Sequence, residues 1–163
     1  MAGSCGDCGL CCNLMAVAAL NKPRRRWCTH FQRGHGCSIY EDRPVDCRVF
    51  ECAFLTTEGL GEEWRPDRAG FLMWSDGVER RLIIDVDPAR PFSWKREPYY
   101  SRIKAWAQPV EGGPSLIVVR AMGRVCVILP TGEIDVGLER EGARLSAGYR
   151  EVNGKLRAFA EYL

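Results

Sequence analysis

Apolar and polar positions fall into clear periods only in the second part of the chain. Phe71 to Trp74 and Arg81 to Asp87 are apolar-rich runs on either side of Ser75-Asp76-Gly77. An Asp-Gly pair supplies the positive φ of a tight turn, so this stretch predicts a hairpin. Between Glu97 and Gln108, Tyr100, Ile103 and Ala107 recur at helical spacing with Trp106 beside them, and Pro98 suits a first turn. Leu116–Ala121, Val125–Leu129 and Glu133–Val136 predict a meander that turns at Gly123 and at Thr131-Gly132. The tail carries two signals. Asn153-Gly154 suggests a hairpin, but Leu156, Phe159, Ala160 and Leu163 fit a helical stripe, and a helix is the expected form.

Residues 1–54 show little periodicity, and residues 55–66, LTTEGLGEEWRP, read as a short helix or loop that bridges to the rest. The expected fold is α+β. A small cysteine-rich metal-binding module, 1–54, packs on an antiparallel sheet with one or two helices, 55–163, and the two form one compact unit.

Composition narrows the function classes. The chain has 163 residues, 46% hydrophobic and 27% charged, which suits a globular protein and excludes a disordered tail or a fibre. A formal charge of +2 is too balanced for a general nucleic-acid binder. No basic residue precedes the first cysteine, and the apolar run Leu14–Leu20 is followed by Arg24-Arg25-Arg26, which is not the order of a secretory signal. No stretch approaches the ~18 apolar residues of a membrane span. The expectation is a cytoplasmic protein without a membrane partner, whose thiols stay reduced and bind metal rather than pair as disulfides.

Cysteine is the outlier, with 9 in the chain. All but Cys126 lie at or before Cys52, and both histidines, His30 and His35, share that segment. The opening motif is Cys5-x2-Cys8-x2-Cys11-Cys12, followed by Cys28, Cys37, Cys47 and Cys52. Two intervening residues let paired thiolates reach one metal while the backbone between them turns its amides toward the sulfurs. Gly6 and Gly9 fall in those intervals, where a Cβ would obstruct such turns. Side chains of neighbouring residues diverge, so Cys11 and Cys12 are expected at different centres. Cys5, Cys8 and Cys11 would face one, and Cys12 with the cysteines of 28–52 the other. Cys126, in the strand-like run VCVIL, reads as a buried, inert thiol.

Asp42-Arg43-Pro44-Val45-Asp46-Cys47 reads as a helix start, with a capping Asp and a Pro in the first turn. Continued to Cys52, that helix would hold Cys47 and Cys52 about 140° apart. Arg43 and Arg48 could donate to thiolate sulfurs or remain solvated, and either histidine could replace a ligand or stand behind the thiolates.

Cys5-x2-Cys8-x2-Cys11-Cys12, Cys28, Gly36-Cys37-Ser38-Ile39-Tyr40, Arg43-Pro44, Cys47-Arg48 and Phe50-Glu51-Cys52 together resemble the bacterial CxxCxxCC cysteine-cluster family. That family's domain is described as chelating zinc or iron, and some members are flagellin-lysine methylases with an iron–sulfur cluster. The resemblance covers about residues 5–54. It implies that all eight cysteines, Cys5, Cys8, Cys11, Cys12, Cys28, Cys37, Cys47 and Cys52, are candidate metal ligands, and it implies no reaction.

No phosphate loop, dinucleotide fingerprint or nucleophile elbow occurs. The leading expectation is a metal-binding protein that holds one or two zinc ions in closed thiolate sites, which are structural. The first alternative is a [4Fe–4S] cluster with a redox or methyl-transfer-related role, although Cys12 and Asn13 break the usual ferredoxin run. The second is metal storage or delivery through exchangeable thiolates.

Overall fold

A computed structural model describes residues 6–109 and 111–163. The chain divides into two compact units. One takes in the described residues up to Trp74 together with Asp85–Ser93, and the other comprises Ser75–Ile84 and Trp94–Leu163. The cysteine segment therefore folds with residues that follow 54, because its buried leucines need partners it does not itself carry.

The first unit is built of short pieces, as expected where large apolar side chains are few. They are α1 (Leu10–Leu14), a 3-10 turn at Ala18–Leu20, β1 (Phe31–Gln32), β2 (Gly36–Cys37), α2 (Val45–Val49), α3 (Ala53–Thr56), a 3-10 turn at Glu62–Trp64, and α4 (Pro66–Ala69). β3 (Phe71–Ser75) carries the chain out of this unit. Leu10 and Leu14, one helical turn apart, bury with Leu72. Cys8, Cys11, Met15, Phe50, Cys52 and Trp74 pack around that cluster, so cysteine sulfurs take the place of aliphatic carbons in this core.

Trp64 and Phe71 meet edge-on at 6.1 Å. Asp85 is 2% exposed and is held by Arg24 Nη2 at 2.6 Å and Trp74 Nε1 at 2.9 Å. One member of the basic triplet is thus committed to a partly buried ion pair.

In the second unit, the turn before β4 (Arg81–Val86) closes on Asp76. Its Oδ1 accepts the Glu79 and Arg81 amides, both at 3.1 Å, and its own amide donates to the Arg81 carbonyl at 3.2 Å. α5 (Tyr99–Trp106) buries Tyr99 and Ile103. β5 (Leu116–Ala121), β6 (Arg124–Leu129) and β7 (Gly132–Leu138) form the expected antiparallel meander, with Val119 opposite Cys126 and Val127 opposite Ile134. Ile117, Val118 and Val119 are each 1% exposed, so β5 is covered on both faces. The α+β class with an antiparallel sheet is what the pattern predicted.

The expected C-terminal helix is not formed. β8 (Leu145–Val152) and β9 (Lys155–Tyr162) pair antiparallel about Asn153-Gly154, whose φ values of 53° and 71° make a two-residue turn. Such a turn matches the twist of its flanking strands and fixes their register. The supposed helical stripe is no buried face, since Leu156 and Leu163 are 75% and 76% exposed. No helix among the described residues is long and apolar enough to cross a membrane.

Candidate metal centre

α1 starts at Gly9, whose φ of 59° lets the chain turn sharply from the Cys8 loop into the helix. A Cβ there would fall 1.9 Å from the Phe31 ring, so the glycine admits the aromatic side chain that covers this corner. Phe31 in turn stacks on Trp27 at 4.7 Å.

Cys11 and Cys12 follow on the first turn of α1. With Cys28, Cys37 and Cys47 they line a cavity of about 100 Å³, walled otherwise by Met15, Val17, Leu20, Ile39 and Phe50, with Arg43 also on its lining.

Three separate devices bring the later cysteines to this cavity. The Cys28 amide donates to the Cys12 carbonyl at 2.9 Å, which ties the intervening loop back onto α1. β1 and β2 pair with Phe31 opposite Cys37 and Gln32 opposite Gly36, which sets Cys37. Gly36 has φ 87°, and a Cβ on it would meet the Gly6 carbonyl oxygen at 2.8 Å. The strand carrying Cys37 thus passes directly against the loop that precedes Cys8. α2 brings Cys47, and the Asp46 carboxylate accepts the Ala18 amide at 3.2 Å, which fastens α2 to the 3-10 turn.

The charges of these groups are felt mutually. A hydrogen bond from the Cys11 thiol pulls the Cys12 pKa down to about 7 against the effect of burial, helped by the positive charges of Lys22 and Arg43. The Cys47 thiol is pushed up, first by burial, then by Cys12, Cys28, Cys37 and Asp46. Four thiols that repel one another as thiolates form one electrostatic group.

Its resident cation is Lys22, a residue the sequence did not single out. Lys22 is 7% exposed. Its Nζ donates to the carbonyls of Asn13 and Pro23, each at 3.1 Å, and to that of Met15. Burial draws its pKa down while Cys28, Cys12, Cys11 and Cys47 oppose that shift. The signal for it was present but weak: it is the lysine that opens the basic run Lys22-Pro23-Arg24-Arg25-Arg26, and lysines bond the terminal carbonyls of helices such as α1.

A second cavity, about 20 Å³, is lined by Cys8, Cys11 and Cys52 with Phe54, Leu55, Pro66 and Leu72. The division between cavities departs from the expected one in two ways. Cys11 and Cys12 are not held apart, since they share a hydrogen bond and both line the larger cavity. Cys47 and Cys52 do separate, but not around one helix. α2 ends at Val49, Phe50 is extended, and Cys52 caps α3 on the other side.

Arg43 lines the larger cavity while its Nε donates to the Tyr40 carbonyl at 2.7 Å and its guanidinium covers the Tyr40 ring at 3.6 Å. Arg48 is turned to the Arg43 carbonyl at 2.7 Å. Neither His30 nor His35 is among the residues that line either cavity. Cys126 lies in the other unit, half-buried rather than buried, its thiol pushed up by burial and by Asp135 and Glu133. Cys5 lies outside the described residues.

Among the described residues, no three His, Cys, Asp or Glu side chains stand in a geometry that could hold a metal ion as they are. The donor set nonetheless has the right chemistry, since soft thiols are what zinc and iron–sulfur centres take, and the Cys12 thiol is drawn toward its thiolate form. Compared with family models, with curated proteins and with solved structures, the chain gives no match.

Proposed function

We propose that this protein binds metal through its N-terminal unit, with Cys12, Cys28, Cys37 and Cys47 as the thiolate ligands of a structural zinc ion. The observation that carries this reading is the larger cavity, which these four cysteines from α1, a loop, β2 and α2 all line. In such a site zinc supplies folding energy by cross-linking segments that bury little. Lys22 and Arg43 offset the anionic charge that four thiolates leave on one divalent ion. The short helices and two-residue strands of this unit fit that role, because pieces of this length are not stable alone. The resemblance to the cysteine-cluster family, carried by the residues quoted above, agrees with it.

A second reading is an iron–sulfur cluster in the same place. The volume of about 100 Å³ favours it, being more than one ion needs, and so does the fifth sulfur, Cys11, on the same lining. Counting zinc, iron and acid-labile sulfide per chain after anaerobic purification separates the two. Zinc without sulfide is the expected result, and iron with sulfide would establish the cluster instead. Native disulfides with no stoichiometric metal in protein kept reduced would refute both.

A further inference from the structure

From Cys8 to Tyr40 the chain carries no acidic residue, while Lys22, Arg24, Arg25, Arg26 and Arg33 all fall within that stretch. The protein as a whole is nearly neutral, so this positive charge is local. Lys22 and Arg24 are committed inside the unit, the first to carbonyls of α1 and the second to Asp85. Arg25, Arg26 and Arg33 are exposed, and so is Trp27 among them. We propose that this surface binds a single-stranded nucleic acid, with a base stacked on Trp27 and neighbouring phosphates paired with Arg26 and Arg33. None of these three side chains lines either cavity, so the surface is separate from the thiols.

Trp27 is a supported platform rather than a stray aromatic. Its ring lies on that of Phe31, with centroids 4.7 Å apart and an angle of 21° between the planes. Phe31 is seated in turn over Gly9, where a Cβ would stand 1.9 Å from its ring. The backbone after Trp27 is tied down as well. The Cys28 amide donates to the Cys12 carbonyl at 2.9 Å, and the Phe31 amide to the Cys28 carbonyl at 3.1 Å. With this support beneath it, Trp27 still remains 45% exposed. A base that stacks there requires little further ordering of the protein, and any base can do so.

The arginines flank that platform along the chain. Arg26 precedes Trp27 directly, and Arg33 sits in the turn that joins β1 to β2, two residues beyond Phe31. Pairing of Phe31 with Cys37 and of Gln32 with Gly36 fixes where that turn begins and ends. Asp85, the acid that Arg24 holds, is 2% exposed and offers no uncompensated charge to repel a phosphate. Guanidinium groups match phosphate oxygens in number and geometry. A stacking aromatic set between arginines calls for unpaired bases strung on phosphates. Duplex bases are already stacked on one another and cannot use it. An acidic peptide would engage the arginines and leave Trp27 idle.

The test is fluorescence anisotropy of short labelled uridine and thymidine homo-oligomers, titrated with purified full-length protein whose metal content is counted beforehand. The unmodified protein should bind at low salt, with an affinity that falls as salt rises. Arg26→Gln combined with Arg33→Gln should flatten the double-logarithmic salt slope by about 0.7 for each arginine. Trp27→Leu should weaken binding about tenfold and leave that slope unchanged, and Trp27→Phe should recover most of the loss. Arg150→Gln, at an exposed position of the other unit, should alter neither quantity. Binding of either oligomer supports the proposal, and the tighter one names the natural strand. No binding at low salt, or binding that every variant leaves unaltered, would overturn it. Displacement by polyglutamate as readily as by unlabelled oligomer, with Trp27→Leu without effect, would refute it in favour of an acidic protein partner. Each of these outcomes leaves the metal count, and with it the reading of the larger cavity, to stand or fall separately.

Discussion

The Cys11 thiol hydrogen-bonds the sulfur of its chain neighbour Cys12, and this bond is the first reason that the Cys12 pKa falls to about 7 from an ordinary 9.0. Adjacent residues on a helix point in different directions, yet the first turn of α1 brings these two sulfurs together. Cys12 consequently ionises more readily in metal-free protein than an ordinary cysteine. Cys11→Ala should raise its pKa towards the ordinary value, so alkylation of Cys12 at pH 7 slows several-fold while the rate at pH 10 hardly changes. An alkylation profile still centred near pH 7 in that variant would show that the cationic neighbours suffice.

Gly36 and Gly34 offer a controlled comparison. Both have positive φ, 87° and 79°, but a Cβ meets the Gly6 carbonyl oxygen at 2.8 Å only at the former and open space at the latter. Alanine at either costs about 1–2 kcal/mol in backbone strain. Gly36→Ala should cost clearly more in chemical denaturation and should lower zinc retention, because the strand carrying Cys37 must back away. Equal effects of the two substitutions would remove the close approach from the account.

Lys22→Met deletes a buried ammonium that satisfies the carbonyls of Asn13, Met15 and Pro23. Leaving such groups unpaired costs about 1–3 kcal/mol, readable as a lower denaturation midpoint of the metal-free protein. The same change removes positive charge beside Cys28, Cys12, Cys11 and Cys47. Zinc affinity, measured against a competing chelator, should therefore fall as well. Loss of stability with unchanged affinity would restrict Lys22 to tying off α1.

Cys126→Ala should leave zinc content unaltered, since that thiol belongs to the unit without the cluster. Trimming a half-buried sulfur from β6 should cost about 1 kcal/mol or less. Because burial, Asp135 and Glu133 raise its pKa, it carries less thiolate at neutral pH than a free cysteine. In the unmodified, metal-free protein Cys126 should accordingly be alkylated far more slowly at pH 7 than Cys12.

The regular elements were readable from local chemistry. Asp76-Gly77 and Gly123 mark turns, the apolar run from Leu116 with its β-branched Ile117, Val118 and Val119 marks a strand, and the spacing of Tyr100 and Ile103 marks α5, each through rules that span a few residues. The tail shows where such rules compete. Asn153-Gly154 and a helical stripe gave opposite instructions, and pairing of β8 with β9 decided between them.

By itself, the sequence determined that the cysteines are concentrated before residue 54 and that the fold is of the α+β class with an antiparallel sheet. Tertiary structure alone decided how the thiols are divided. Cys52 joins Cys8 rather than Cys47, Cys11 borders both cavities, and Lys22 rather than Arg48 is the buried cation. Spacing along the chain states which residue types are available. Which of them meet depends on where a five-residue helix ends and on which leucine of a later strand its neighbours pack against, and those contacts are made between segments far apart in sequence.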